Sequence, residues 1–346
     1  MNREHSNKCT TARPLHVTLS VILFLLTLST VTLAQQKLAQ TGLKFLNVGT
    51  TASVTAMGEA YTGVESASTA MFYNPAGMAR MRGFIDIGLG QTKWIADISH
   101  QYLSLAVSPF GGDYGVIGLT ALSVDYGEIE ETIRWNNEEG YIDLGTFSPS
   151  AMMVGVGYAQ ALTDRFSVGA NVKYVAQNLG SSTIGFDQKN DLIKKENSVG
   201  VLAFDFGMLY RTGFKSLNFG VSVRNFSKEV RYEREGFQLP LIFRLGLSMN
   251  MIDLLGEEQE HHAFLLAVDA THPRDYPEQV NVGAEYVFMQ IVAVRAGYMF
   301  NNDEYALTAG LGVQQQLSDM RIGVDYSYTP FGVFQRVHRI TVRFSY

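Results

Sequence analysis

Apolar and polar residues alternate over long stretches of this chain, and that pattern constrains its fold more than any other feature. One face of the segment at 202–210 carries large apolar residues only: Leu202, Phe204, Phe206, Met208 and Tyr210. Such stretches run for nine to thirteen residues, and a tilted β-strand needs about 9–11 residues to cross a bilayer. We count fourteen of them, beginning near residues 83, 99, 113, 150, 165, 199, 215, 240, 261, 279, 291, 305, 319 and 336.

The sequence therefore predicts an all-β fold, a transmembrane antiparallel β-barrel of about 14 strands with a short N-terminal plug. A secreted β-sandwich would alternate too, but its strands are usually about 5–6 residues long. Tight connections such as Thr163-Asp164 alternate with long polar ones at 128–148, 180–197 and 227–239. Short turns are typical of the periplasmic side and long loops of the outside, and an even strand number brings both barrel ends to the periplasm.

Both ends of the chain fit export to an outer membrane. A basic start and an apolar run at 17–33 predict a signal peptide at residues 1–34, although a membrane-spanning helix is the alternative. The single cysteine, Cys9, lies in that segment, so the mature chain would have no thiol. At the other end, Phe344 and Tyr346 close the final strand as an expected signal for the barrel-assembly machinery. The expected surroundings are outer-membrane lipids.

Residues 35–82 differ from the barrel at 83–346, because they are rich in small residues and lack alternation. We expect a plug folded into the lower mouth of the barrel; the alternative is a periplasmic tail. Its apolar side chains could line a hydrophobic pocket or simply pack against the wall: Met57, Met71, Phe72, Met78 and Met81.

The opposite face of the strands carries charges of both signs, which predicts a polar lumen. The expected lumen charge network consists of Asp205, Arg244, Asp269, Glu285, Arg295, Asp325 and Arg343, with Arg244–Asp269 and Glu285–Arg295 as pairs on adjacent strands. Inward glycines would leave room for a plug or a ligand: Gly155, Gly157, Gly169, Gly220, Gly246, Gly283, Gly297, Gly310, Gly312 and Gly323. Aromatic residues could form interfacial girdles: Trp94, Trp135, Tyr102, Tyr126, Tyr158, Tyr174, Tyr298 and Tyr328.

The stretches at 57–64 and 70–79 resemble the N-terminal signature of the PorV/PorQ family, which is similar to FadL-type fatty-acid channels. The resemblance continues in order at 239–247, 282–286, 294–298, 309–312, 324–328 and 338–342. It implies fourteen strands and an N-terminal hatch whose Asn-Pro-Ala triplet is Asn74, Pro75 and Ala76. By this analogy Asn74 would cap or pin the plug, and Pro75 would fix its turn.

The resemblance implies one of two functions. Proteins of the PorV type serve type IX secretion and bind the secretion pore or exported cargo, which predicts a sealed lumen. FadL-like channels take up hydrophobic small molecules such as fatty acids, which predicts an apolar pocket near residues 57–81 beside a gap in the wall.

We expect no enzyme, catalytic residue or cofactor. His261 and His262 beside Glu257, Glu258 and Glu260 are expected to be a solvated loop edge, not a metal site. The formal net charge of −6 gives no indication of a nucleic-acid partner.

Overall fold

The computed structural model describes residues 41–189, 192–255, 261–302, 305–332, 334 and 336–346. The expected signal peptide at 1–34 lies outside these residues and stays a prediction.

Fourteen of the strands in the described residues close into an antiparallel barrel, as the alternation predicted. The strands are β1 (Ile85–Lys93), β2 (Ser99–Val107), β3 (Val116–Asp125), β4 (Ile129–Arg134), β5 (Tyr141–Phe147), β6 (Ser150–Ala161), β7 (Phe166–Phe186), β8 (Leu192–Arg211), β9 (Asn218–Ser227), β10 (Val230–Arg231), β11 (Gly236–Phe237), β12 (Ile242–Asn250), β13 (His262–Pro273), β14 (Gln279–Phe288), β15 (Val292–Phe300), β16 (Leu307–Leu317), β17 (Met320–Thr329) and β18 (Val337–Ser345). Barrel neighbours follow chain order, with β4–β5 and β10–β11 left out as separate two-stranded hairpins.

The last strand closes the barrel against the first. Eight residues of β18 pair with β1, including Phe344 opposite Ile87. The backbone of Tyr346 extends the seam, since its N–H donates to the Ile85 carbonyl at 2.8 Å and its own carbonyl accepts from the Ile85 N–H at 2.9 Å. This closure satisfies the backbone groups that would otherwise form an open sheet edge in lipid.

Outward side chains are apolar and exposed, for example Leu89 and Val156, whereas their inward neighbours are buried. This is the arrangement of a barrel surrounded by lipid. The short turns mark the periplasmic side of the barrel. The β1–β2 connection at 94–98 and the segments that contain the hairpins β4–β5 and β10–β11 lie at the opposite end, outside the cell. In the described residues, no helix is long and apolar enough to cross a membrane.

The connection expected at 180–197 is largely strand, which corrects the sequence interpretation. β7 and β8 continue past the bilayer as a paired hairpin, with Thr183 opposite Lys194. A hairpin in water needs no lipid-facing apolar residues. Its sequence is therefore polar and lacks the alternation by which the other strands were predicted. The hairpin β4–β5 touches it through Thr183, whose hydroxyl donates to the Glu131 carboxylate at 2.9 Å.

The described part of the segment before β1, residues 41–84, consists of short helical turns joined by irregular chain. It contains one α-helix, Ala52–Ala56, and the 3₁₀-helices Lys44–Asn47, Ser68–Phe72 and Pro75–Arg80. Further 3₁₀ turns lie in connections at Ile95–Asp97, Pro109–Gly112 and Met251–Leu255. Nearly all residues from Gly49 to Ala79 are buried, because they fill the barrel as a plug.

Candidate functional site: the plugged lumen and its outer cavity

The plug is hydrogen-bonded to the wall around its circumference. Inward hydroxyls of four strands bond its backbone: Thr341 accepts from the Ala52 N–H at 3.0 Å, Thr308 from the Gly58 N–H at 3.0 Å, and Ser248 and Ser222 donate to the Gly63 and Tyr73 carbonyls at 2.7 Å each. A plug without long secondary structure has many backbone groups to satisfy, and the wall supplies their partners. The wall side chains therefore hold this particular path of the chain.

Asn74 joins two parts of the plug to the barrel. Its side-chain amide donates to the Thr62 carbonyl at 2.7 Å and to the Met208 carbonyl of β8 at 3.2 Å. Its side-chain oxygen accepts from the Ala76 N–H at 3.2 Å, where Pro75 begins the 3₁₀-helix Pro75–Arg80. One side chain thus caps this turn and pins it to the wall.

Inward glycines provide the space that the plug occupies. A Cβ on Gly297 would collide with the backbone of Gly58, and one on Gly169 would collide with the backbone at Pro75. Gly220 and Gly283 are blocked in the same way by Thr62 and Met57. The absent side chains let the plug backbone approach the sheet directly.

The five residues considered for an apolar pocket do not line one cavity. Four of them are buried and Met81 is partly buried, and they belong to three separate clusters: Met57 beside Ala60 and Ala267, Phe72 beside Tyr102, and Met71, Met78 and Met81 beside Ala106, Val116 and Ala159. Each cluster fills a gap between plug and wall, which is a common use of the flexible methionine side chain.

The seven predicted lumen charges separate into groups, because the plug runs between them. Arg244 does not pair with Asp269 by hydrogen bonds. It binds Glu59 of the plug, with donor–acceptor distances of 3.0 Å to the carbonyl and 2.9 Å to the carboxylate. Asp269 instead accepts from the N–H groups of Tyr61 and Thr62, at 3.0 Å each. These two wall charges anchor the plug.

A second group lies towards the periplasm and joins four of the predicted residues. Arg295 pairs with Glu285 and, at 2.6 Å, with Asp325. Arg343 donates to the other oxygen of Asp325 at 2.9 Å. Two cations and two anions thus balance within one group. Its centre, Arg295 and Asp325, is buried, where an unpaired charge would be costly.

The third group surrounds a β-bulge in the wall. Asp205 is buried and pairs with Lys173 at 2.8 Å. The ladder between β8 and β9 shifts register beside it, and Asn225, with a φ of 63°, donates its N–H to Asp205 at 2.7 Å. These buried side chains bond to one another at the point where the ladder is interrupted.

A cavity of about 700 Å³ lies above the plug at the extracellular mouth. Several of its lining side chains are aromatic: Trp94 contacts Phe331 and Tyr305 contacts Phe331, with ring centroids 4.9 Å apart in both pairs. Its floor includes the Glu59–Arg244 pair. From the sequence, Trp94 was a candidate for a membrane girdle. It lies in a connection between strands, where no alternating pattern shows which way a side chain faces.

The first described residues form part of this cavity, so the plug reaches the outer mouth and is not confined to the lower one. Gly42 donates its N–H to the Gln238 carbonyl at 3.1 Å. Thr41 donates to the Asp275 carboxylate at 2.6 Å, and Lys44 forms an ion pair with the same group. These contacts tie residues 41–44 to two extracellular loops.

Two loop tyrosines beside the cavity share one glutamine. The Gln177 amide donates to the Tyr126 hydroxyl at 3.0 Å, and the Tyr232 hydroxyl donates to the Gln177 oxygen at 2.9 Å. Burial raises the pKa of Tyr126 and raises the pKa of Tyr232 to about 12. Both hydroxyls therefore stay protonated at neutral pH and keep their hydrogen bonds.

In the part of the chain that the structure describes, no group of three or more His, Asp, Glu or Cys residues is arranged to hold a metal ion. The residues 256–260 beside His261 and His262 lie outside it. His262 Nδ1 lies 2.8 Å from the Tyr286 hydroxyl.

Solved barrels share this fold. The Pseudomonas putida toluene transporter TodX is 14% identical, with a TM-score of 0.56 over 90% of this chain and 99% of that one. The Ralstonia pickettii toluene transporter TbuX is 13% identical, with a TM-score of 0.55 over 86% and 98%. A Pseudomonas aeruginosa FadL homologue is 12% identical, with a TM-score of 0.50 over 86% and 98%. These likenesses confirm the FadL-like fold expected from the sequence.

No curated protein sequence matches this chain significantly. Residues 136–344, more than half of the 346, match the family described as type IX secretion system membrane protein PorP/SprF. This match confirms the resemblance to type IX secretion barrels that the sequence motifs indicated through the PorV/PorQ family. The chain belongs to the PorP/SprF family of type IX secretion system membrane proteins.

Proposed function

We propose that this protein is a non-enzymatic outer-membrane component of type IX secretion that binds exported cargo or the secretion pore through its extracellular face. The observation that carries the proposal is the plugged lumen. The backbone of residues 52–73 is hydrogen-bonded to inward side chains of several strands. Inward glycines of the wall let this backbone lie directly against the sheet. A barrel closed in this way serves as a rigid base for its loops.

Exposed apolar side chains on the extracellular hairpins support a protein partner. Trp135 and Tyr141 lie on or beside β4–β5 with 44% and 48% of their surface exposed, and Ile184 of β7 is 62% exposed. The hairpins stand beyond the bilayer, so lipid does not cover these side chains. Exposed apolar groups of this kind are typical of surfaces that bind proteins.

Affinity purification from native outer membranes, followed by mass spectrometry of proteins and lipids, tests this proposal. We expect the tagged protein to recover a large secretion barrel or exported proteins. The variant Trp135→Ser/Ile184→Ser should lose them. The matched control is Phe110→Ser/Tyr114→Ser, which alters two exposed aromatics in the periplasmic β2–β3 turn and should keep the partners. Recovery of the barrel alone, or equal losses in both variants, would contradict the proposal.

A FadL-like channel for hydrophobic small molecules is the second candidate, and the aromatic cavity at the outer mouth favours it. Its volume of about 700 Å³ suits a small ligand. Stoichiometric fatty acid or another apolar molecule in the purified protein, together with an absence of protein partners, would make transport the better explanation.

A further inference from the structure

Two cavities approach each other from opposite sides of the plug. The outer cavity is lined by Arg244 and Thr271, among others. A second cavity, of about 320 Å³, is lined by Ser248, Leu265 and Arg295 on the periplasmic side. Arg244 and Ser248 are only four residues apart on β12, which corresponds to about 13 Å along the strand.

A single short segment of the plug separates these cavities. Glu59 borders the outer cavity, whereas Met57 and Tyr61 border the inner one. We call residues 57–62 the septum. Its backbone is held in left-handed conformations, with a φ of 61° at Gly58 and 59° at Glu59. This conformation is unfavourable for glutamate, so the anchoring contacts must maintain it.

The septum is anchored by two wall charges. Arg244 binds the carbonyl and carboxylate of Glu59, and Asp269 binds the backbone N–H groups of Tyr61 and Thr62. Towards β15 and β16, Gly297 packs against the Gly58 backbone and the Thr308 hydroxyl accepts from the Gly58 N–H at 3.0 Å. The closure therefore combines these polar bonds with the buried packing of Met57 and Ala60 against Ala267 of β13.

The wall behind the septum is polar and incompletely bonded. Asn281 is fully buried, yet neither atom of its side-chain amide has a hydrogen-bond partner in the described structure. Asp269 Oδ1, Thr271 Oγ1 and Arg244 Nε on the neighbouring strands also lack one there. These atoms keep unused hydrogen-bonding capacity, so the patch can bind water or a polar solute that reaches it.

We propose that the septum is a gate between the two cavities, and that displacing it opens a path for water, ions and small hydrophilic solutes along β12–β15. The path is lined by Arg244, Asp269 and Asn281 above and by Glu285 and Arg295 below. Such a lining excludes long apolar chains. This activity goes beyond the secretion role, and its test requires no secretion partner.

Ion conductance of the purified full-length protein in planar lipid bilayers in potassium chloride tests the gate. The variant Glu59→Gln keeps the shape of the side chain but removes the charge that holds Arg244. We expect its mean conductance to exceed that of the unaltered protein by on the order of tenfold or more, because a hydrogen bond between charged groups is lost. Asp269→Asn weakens the other anchor and should act in the same direction if Glu59→Gln does not fold.

A disulfide can hold the plug in place and show where the current passes. Thr55 Oγ1 and Ser327 Oγ are 2.9 Å apart, so the two side chains point at each other as the sulfurs of a bridge in Thr55→Cys/Ser327→Cys must. Added to Glu59→Gln, the oxidised pair should abolish the extra conductance and reduction should restore it, whereas Thr55→Cys alone should have no effect. A folded Glu59→Gln with unaltered conductance, or current that persists in the oxidised protein, would overturn the proposal.

Discussion

The side-chain amide of Asn74 donates to the carbonyl of Thr62 at 2.7 Å, linking two turns of the plug across twelve residues. The same nitrogen also reaches the Met208 carbonyl of β8 at 3.2 Å. Because both acceptors are backbone groups, their positions depend on the path of the chain and not on a side-chain rotamer. Asn74 therefore reports whether the plug is seated.

Asn74→Ala should loosen the plug. It removes the cap on Ala76 and leaves a buried carbonyl without its donor, so we expect a loss of about 1–3 kcal/mol in the free energy of unfolding in lipid vesicles. Urea titration measures this loss. Asn197→Ala removes a side-chain hydrogen bond to Ser182 on the exposed hairpin, and as a control it should cost less than about 0.5 kcal/mol. Equal losses would mean that Asn74 has no special role.

Gly297→Ala should also displace the plug, because the added methyl group meets the Gly58 backbone, which cannot rotate away. Overpacking of this kind costs about 1–3 kcal/mol. We expect faster cleavage of the plug by added protease in detergent. Gly323→Ala is the matched control, since its nearest neighbour lies 3.6 Å away. A cleavage rate equal to that of the control would contradict the fit described for the glycines.

Lys173→Met should destabilise the barrel by about 3–5 kcal/mol, because it leaves the buried Asp205 carboxylate uncompensated. The double variant Lys173→Met/Asp205→Leu should recover only part of this loss, since Asp205 also accepts from Asn225 at 2.7 Å. Urea titration in vesicles compares the variants. The control is Lys195→Met, which breaks the exposed ion pair between Lys195 and Glu233. It should lower the free energy of unfolding by at most about 1 kcal/mol. A similar small cost at Lys173 would show that water reaches the bulge.

The barrel was predictable from the sequence because each strand carries its own information. Alternation at 202–210 assigns Leu202 to lipid and Asp205 to the lumen without reference to any other strand. The strand starts differ from the predicted ones by only a few residues, except at β8, which begins at Leu192 in a hairpin outside the bilayer.

The contacts inside the lumen were not predictable in the same way. Arg244 was expected to pair with Asp269 on the next strand, yet it binds Glu59, which lies 185 residues away in the plug. The choice between these partners depends on the path of a segment without periodicity. The aromatic cavity was missed for the same reason, because Trp94 and Phe331 lie in connections whose facing no alternation indicates.

Lys44 should be accessible from outside the cell, since the plug begins among the extracellular loops. It pairs with Asp275 in the β13–β14 connection, and its side chain is 37% exposed. With the only native cysteine, Cys9, in the expected signal peptide, Lys44→Cys gives a single thiol. We expect a membrane-impermeant maleimide to label it on intact cells. Phe214→Cys, in the periplasmic β8–β9 turn with 59% of the native side chain exposed, should react only after the outer membrane is permeabilised. The reverse labelling pattern would place the plug's entrance on the periplasmic side and invert the assigned orientation of both cavities. The expected pattern places the aromatic cavity on the extracellular face.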